Sequence, residues 1–135
     1  MDKGNMQDLS RHRLERAKED LEHAIKDFNE KELKHSNNRA YYSIFHSMRA
    51  VLALEGKDFK KHSGVIAYFN QYYIKTKIFP SDLYMLIRDA SEIRNASDYD
   101  DFYIASFDKT KQQIESAQLI YDLVEKYIKS QEQNI

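Results

Sequence analysis

The sequence contains no cysteine, one proline and three glycines among its 135 residues. Without cysteine the chain has no disulfide framework, no thiolate nucleophile and no cysteine-ligated zinc, and a reducing compartment is permitted. Glycine and proline supply the turns of all-β sandwiches and the glycine loops of nucleotide-binding folds, so their scarcity disfavours both classes. The sequence therefore predicts an all-α protein.

An excess of charge of one sign and long apolar runs are also missing. The net charge is -1 with 32% charged and 41% hydrophobic residues, which is typical of one soluble domain with a modest core. No overall field attracts nucleic acid or anionic membranes, so any nucleic-acid contact must come from a local patch. No segment approaches the roughly 18 uninterrupted apolar residues of a membrane helix, and residues 1–15 lack an apolar core. We expect one cytoplasmic domain over residues 1–135, with short polar ends and no membrane contact.

Apolar residues recur at intervals of three and four, which is the helical period. This spacing predicts a first helix over residues 9–28. A second helix is predicted to start from a cap at Ser36 or Asn37 and to run to about Glu55, where Gly56 ends it.

Three further helices follow the same rules. The third is predicted over residues 63–75, before Pro80, and the fourth from a cap at Ser81 through Ile93, with fraying at residues 97–101. A stripe from Ile114 to Ile128 predicts the last helix. Because short connections favour antiparallel neighbours, the predicted architecture is an up-and-down bundle of four main helices plus a shorter fifth.

Polar side chains lie among aromatics on the second helix, in the segment from Asn38 to Arg49. His46 is interpreted first as a core histidine that holds a neighbouring polar group, and second as a group that titrates near neutral pH. Arg39 lies seven residues earlier and therefore on the same face. We expect it to pair with a carboxylate of the first helix, so a structural role is favoured for both residues.

His62 follows a lysine-rich segment that includes Lys61. It is interpreted as a capping residue or as part of a basic patch, in a solvated loop. Other histidines lack the spacing of a zinc site, and the acidic run around Asp100 lacks the set of oxygens that a hard cation requires. No metal and no cofactor are expected.

Arg94 and Asp98 are four residues apart, the spacing of an intrahelical ion pair. Asn95 and Tyr99 lie at the same helix end, so a cation, an amide, a carboxylate and a phenol could instead converge on a phosphate. Both interpretations stay open.

Three blocks in this order resemble the HEPN domains (higher eukaryote and prokaryote nucleotide-binding), in particular the small stand-alone prokaryotic group. The blocks are residues 38–46, residues 61–66, and Arg94 with residues 98–100, and the resemblance extends over about residues 8–130. It implies a homodimer of helical bundles, often encoded beside a minimal nucleotidyltransferase in toxin-antitoxin or defence modules.

Many members of this family resemble metal-independent endoribonucleases in which a histidine follows an arginine after four to six residues. Such a histidine exchanges a proton with the RNA 2'-hydroxyl while the arginine stabilises charge on phosphorus. Here Tyr99 occupies the histidine position after Arg94, and no histidine follows His62. A phenol with a pKa of about 10 is a poor base at neutral pH.

The resemblance thus implies catalytic candidates at Arg94, Asp98 and Tyr99 for a ribonuclease with an altered motif. Candidate contacts to RNA or a nucleotide come from the polar residues of the three blocks: Arg39, His46, Lys61, His62 and Asn95. The alternative is a non-catalytic module that binds a nucleotide or a partner and regulates a cognate nucleotidyltransferase.

Overall fold

The computed structural model describes residues 2–133, which form helices and loops without a β-strand. This confirms the predicted all-α bundle. The five helices are α1 Lys3–Asn29, α2 Leu33–Ala53, α3 His62–Phe69, α4 Leu83–Tyr99 and α5 Phe107–Gln133. One turn of π-helix, Asn70–Ile74, extends α3.

Two of the predicted helix caps are wrong. Helix α2 begins at Leu33, so Ser36 and Asn37 lie inside it and are buried. Ser36 Oγ donates to the Ala24 carbonyl of α1 at 2.7 Å, which gives the hydroxyl a partner within the bundle instead of at a helix end. Ser81 does not cap α4 either, because the N-cap residue is Asp82, which makes no side-chain capping bond.

The first helix is longer at its start than its apolar stripe predicted. Asp2 caps it, since its Oδ1 accepts from the backbone N–H of Asn5 at 2.8 Å. A cap of this kind satisfies a backbone donor that the helix leaves without a partner. The charged residues before Leu9 are therefore helical although they bury little.

Helix α2 is the central element, and it contacts α1, α3, α4 and α5. Its contact with α1 is close because small side chains lie between the two backbones. Ser43 Oγ donates to the Ala17 carbonyl at 2.8 Å, and Ser10 Oγ donates to the Ala50 carbonyl at 2.7 Å. These bonds satisfy buried hydroxyls and fix the register of α1 against α2. Among residues 2–133, none of the helices has the length and apolarity that crossing a bilayer requires.

Candidate functional site

A main cleft of about 1010 Å³ opens between α1, α2, the start of α3 and the end of α4. A side cavity of about 550 Å³ lies between the α3 region and α4, and His62 lines both. Polar side chains dominate the main cleft: Arg16, Asp20, His23, Asp27, Lys34, His35, Asn38, Arg39, Tyr42, Phe45, His46, Arg49, His62, Ser97 and Asp98.

The main cleft carries an excess of positive charge. Four of its lining residues are Lys or Arg and three are Asp. Asp20 pairs with Arg39, Asp98 with Arg94 and Arg49 with Asp58, whereas Arg16, Lys34 and Asp27 have no ion-pair partner among residues 2–133. The lining of the main cleft therefore has a net positive charge, although the whole chain has a net charge of -1.

The floor of the main cleft is a group of three polar residues, of which Asp20 and His46 are buried and Arg39 is exposed. Arg39 Nη1 lies 3.3 Å from Asp20 Oδ1, which confirms the predicted pair between Arg39 and a carboxylate of the first helix. His46 Nε2 lies 3.9 Å from Asp20 Oδ2, and His46 is 7% exposed. Burial raises the pKa of Asp20, and the charge of Arg39 opposes that rise.

His46 is a neutral imidazole near pH 7. Burial, together with the charges of Arg16, Arg49 and Arg13, lowers the pKa of His46 to about 4. Its Nδ1 is buried and has no hydrogen-bond partner among the described residues. The favoured core placement is therefore observed, although the imidazole holds no neighbouring hydroxyl or carbonyl.

Arg94 is held at the wall between the two cavities. Its Nε lies 2.9 Å from Asp98 Oδ2, which confirms the intrahelical pair. Its Nη2 donates to Tyr42 Oη at 3.1 Å, and its Cζ lies 5.4 Å from the Tyr41 ring centroid and 5.6 Å from that of Tyr42. These contacts hold the guanidinium in one orientation while one edge lines the side cavity.

The interpretation of His62 as a residue of a solvated loop is wrong. His62 is the first residue of α3 and is half-buried, because its ring stacks on Phe45 with centroids 4.0 Å apart. Its Nδ1 lies 2.9 Å from Tyr41 Oη. Burial and then the charges of Arg94 and Arg49 lower the pKa of His62. Burial raises the pKa of Tyr41 to about 12, so its phenol stays protonated.

The remaining predicted site residues are dispersed. Asn95 lines the side cavity, whereas Lys61 precedes α3 and lines neither cavity. Tyr99 is 78% exposed at the end of α4 and also lies outside both linings. Of the four groups at this helix end, Arg94 and Asp98 therefore form an ion pair, whereas Tyr99 lies apart from them within one chain.

Sequence reasoning predicted that a carboxylate of α1 pairs with Arg39 but did not identify Asp20, and it missed Arg16 and the role of Tyr41. Arg16 and Asp20 line the main cleft, and Tyr41 holds both Arg94 and His62. No local motif marks the two α1 residues, which read as part of an ordinary charged face. A usable signal is their spacing of four, which places both on one side of the helix.

Comparisons with known proteins identify the family. The family model for the HEPN domain matches residues 10–127. A Thermotoga maritima protein named "UPF0332 protein" is 33% identical over 113 residues, which cover 84% of this chain and 86% of the relative. Two Methanocaldococcus jannaschii proteins are named "Putative toxin", with the designations MJ0605 and MJ0142. The first is 31% identical over 86% of each chain, and the second is 33% identical over 64% of this chain and 59% of its own.

Proposed function

This chain belongs to the HEPN domain family, and on that premise we propose that it is a toxin-like protein that acts on RNA in the cytoplasm. The relatives with toxin names support the first part. The proposed action on RNA rests on the junction of the main cleft and the side cavity. There Arg94 is fixed beside His62, next to a patch of positive charge.

RNA is expected to lie with its backbone across this junction. Arg16 and Lys34 supply long-range attraction to phosphates, and Arg94 supplies a planar donor group at close range. Tyr42 lies at the same wall and offers an aromatic ring, on which an unpaired base can stack. Single-stranded RNA fits this combination better than a duplex, whose bases are already stacked.

The test is incubation of labelled single-stranded RNA with the purified protein in EDTA, with analysis of the product ends. We expect products with 2',3'-cyclic phosphate from the wild type and none above background from Arg94→Ala. Arg11→Ala is the matched control, because Arg11 is exposed on α1 and lines neither cavity. Its cleavage and RNA affinity should equal those of the wild type. Equal cleavage and binding by Arg94→Ala would refute the assignment.

A homodimer is part of the proposal. From the last residue of α4 to the first residue of α5, the chain exposes four large apolar side chains to solvent. Their exposed fractions are 78% for Tyr99, 91% for Phe102, 87% for Ile104 and 56% for Phe107. Exposed apolar groups this close together are typical of an association surface. Because Ser97 and Asp98, which line the main cleft, directly precede this surface in the chain, a second copy bound here would lie near the cleft.

Light scattering after gel filtration tests the dimer. The wild type should have twice the mass of one chain, and Phe102→Asp should shift towards one chain because the charge would be buried at the interface. Ile78→Asp is the control, since Ile78 is 48% exposed and lies on a different loop. A monomeric wild type, or a dimer that Phe102→Asp leaves intact, would contradict this surface.

One observation favours a second candidate function. No histidine follows Arg94 in the sequence, so the residue that would complete the family motif is missing. The chain would then be a non-catalytic module that binds and regulates a cognate minimal nucleotidyltransferase. Absence of metal-free cleavage, with co-purification of such an enzyme from its native operon, would support this function over the first.

A further inference from the structure

We propose that His62, at the start of α3, is the general base of the RNA cleavage. The inference rests on the proposed function and deepens it, because it assigns the proton transfer to a residue outside the helix that carries Arg94. Among the described residues, His62 alone lines both the main cleft and the side cavity.

His62 and Arg94 lie close to each other at the junction of the two cavities. The guanidinium and the imidazole lie against the same two rings, since the His62 centroid is 5.8 Å from those of Tyr41 and Tyr42. The Arg94 Cζ is 5.4 Å and 5.6 Å from the same rings. A phosphate at the junction can therefore meet the guanidinium while the neighbouring ribose lies at the imidazole.

The orientation of the imidazole is held by two contacts. The ring stacks on Phe45, and its Nδ1 is 2.9 Å from Tyr41 Oη. When Nδ1–H donates to this phenol oxygen, the lone pair of Nε2 is left for a proton acceptor role. Tyr41 is thus a positioning residue for both His62 and Arg94.

The charge state also suits a base. Burial and the nearby charges of Arg94 and Arg49 lower the pKa of His62, so the imidazole is neutral at pH 7. The other imidazole on this side, His46, lies at the floor against Asp20 and does not line the side cavity. His23 and His35 line only the main cleft.

The step balances with a water molecule as a proton relay that is not consumed. His62 Nε2 takes the proton of the ribose 2'-hydroxyl as O2' attacks phosphorus, and Arg94 stabilises the charge on the phosphorane oxygens. The O2'–P bond forms and the P–O5' bond breaks. O5' leaves with the electron pair and takes a proton from water, and the imidazolium returns its proton to the hydroxide. The products are a 2',3'-cyclic phosphate and a 5'-hydroxyl.

The experiment compares the wild type, His62→Ala and His12→Ala for metal-free RNA cleavage and for RNA affinity, with and without added imidazole. His12 is exposed on α1 and lines neither cavity. We expect His62→Ala to cleave about 10²- to 10⁴-fold more slowly with an affinity within about threefold of the wild type. Added imidazole should restore part of its rate, which a purely structural role of His62 would not allow. Circular dichroism verifies that the variant is folded.

The outcomes separate this inference from the function on which it rests. If the wild type and His62→Ala cleave equally, or if imidazole restores nothing to a folded variant, His62 is not the base and RNA cleavage stands. If the wild type binds RNA without cleaving it, the inference fails and RNA binding remains. If the wild type neither binds nor cleaves RNA, the proposed function itself fails.

Discussion

The buried imidazole of His46 should make the folded protein sensitive to mild acid. In the unfolded chain a histidine has a pKa of about 6.5. In the fold, burial and three neighbouring arginines lower the pKa of His46 to about 4. Between these values the unfolded state binds a proton that the folded state does not bind. The free energy of unfolding therefore falls as the pH falls from about 6.5 to about 4.

The magnitude follows from these two pKa values. A difference of 1 in pKa corresponds to about 1.4 kcal/mol, so the full loss of unfolding free energy below pH 4 is about 3 kcal/mol. Between pH 7 and pH 5 the expected loss is about 2 kcal/mol. Asp20 acts in the opposite direction, because burial raises its pKa and its carboxyl takes up a proton more readily in the fold. The total slope combines both residues, so a variant is needed to isolate His46.

Urea unfolding at pH 7 and pH 5 provides the measurement. His46→Gln keeps a polar side chain of similar size but cannot titrate. The loss of unfolding free energy between the two pH values should be smaller in this variant by about 2 kcal/mol. His12→Gln is the control, since His12 is exposed on α1, and it should lose as much as the wild type. Equal losses in the wild type and His46→Gln would refute the assignment of a low pKa to His46.

Four further substitutions test the contacts of α2. Ser43→Ala should cost about 1 kcal/mol of unfolding free energy through its bond to Ala17, and Ser43→Val about 1–3 kcal/mol because no space exists between the helices. Leu52→Ala should cost about 2–5 kcal/mol of unfolding free energy, since Leu52 is 0% exposed. Urea unfolding measures the Ser43 variants and the Leu52 variant. Asp58→Ala should cost only about 1 kcal/mol, because Asp58 is partly solvated although it pairs with Arg49. A thermal scan checks it, and a loss above about 3 kcal/mol would contradict this reasoning.

The family and the bundle could be predicted from local sequence. The three blocks predicted the HEPN family, which the family match over residues 10–127 confirms. The helix ends were less predictable, as Ser36 shows. A serine favours a cap when it has no other partner, but here a facing carbonyl lies 2.7 Å away in the bundle. Whether that partner exists depends on α1, which no local rule describes.

The contacts of the candidate site could likewise be predicted only in part. The spacing of four between Arg94 and Asp98 predicted their ion pair, because both residues belong to one helix. The place of His62 could not be predicted, since its contacts with Tyr41 and Phe45 join residues about 20 positions apart. For Arg39 the sequence predicted a carboxylate of the first helix as its partner, and the structure identified that carboxylate as Asp20.

By itself the sequence determined the class of fold, the family and the pairs within single helices. These depend on periodicity and short spacing, which act along one helix at a time. Only the tertiary structure decided which charges share the main cleft, how the His62 ring packs and which phenols hold Arg94. Those properties arise where four helices approach one another, so burial and charge are set by neighbours that are remote in the chain.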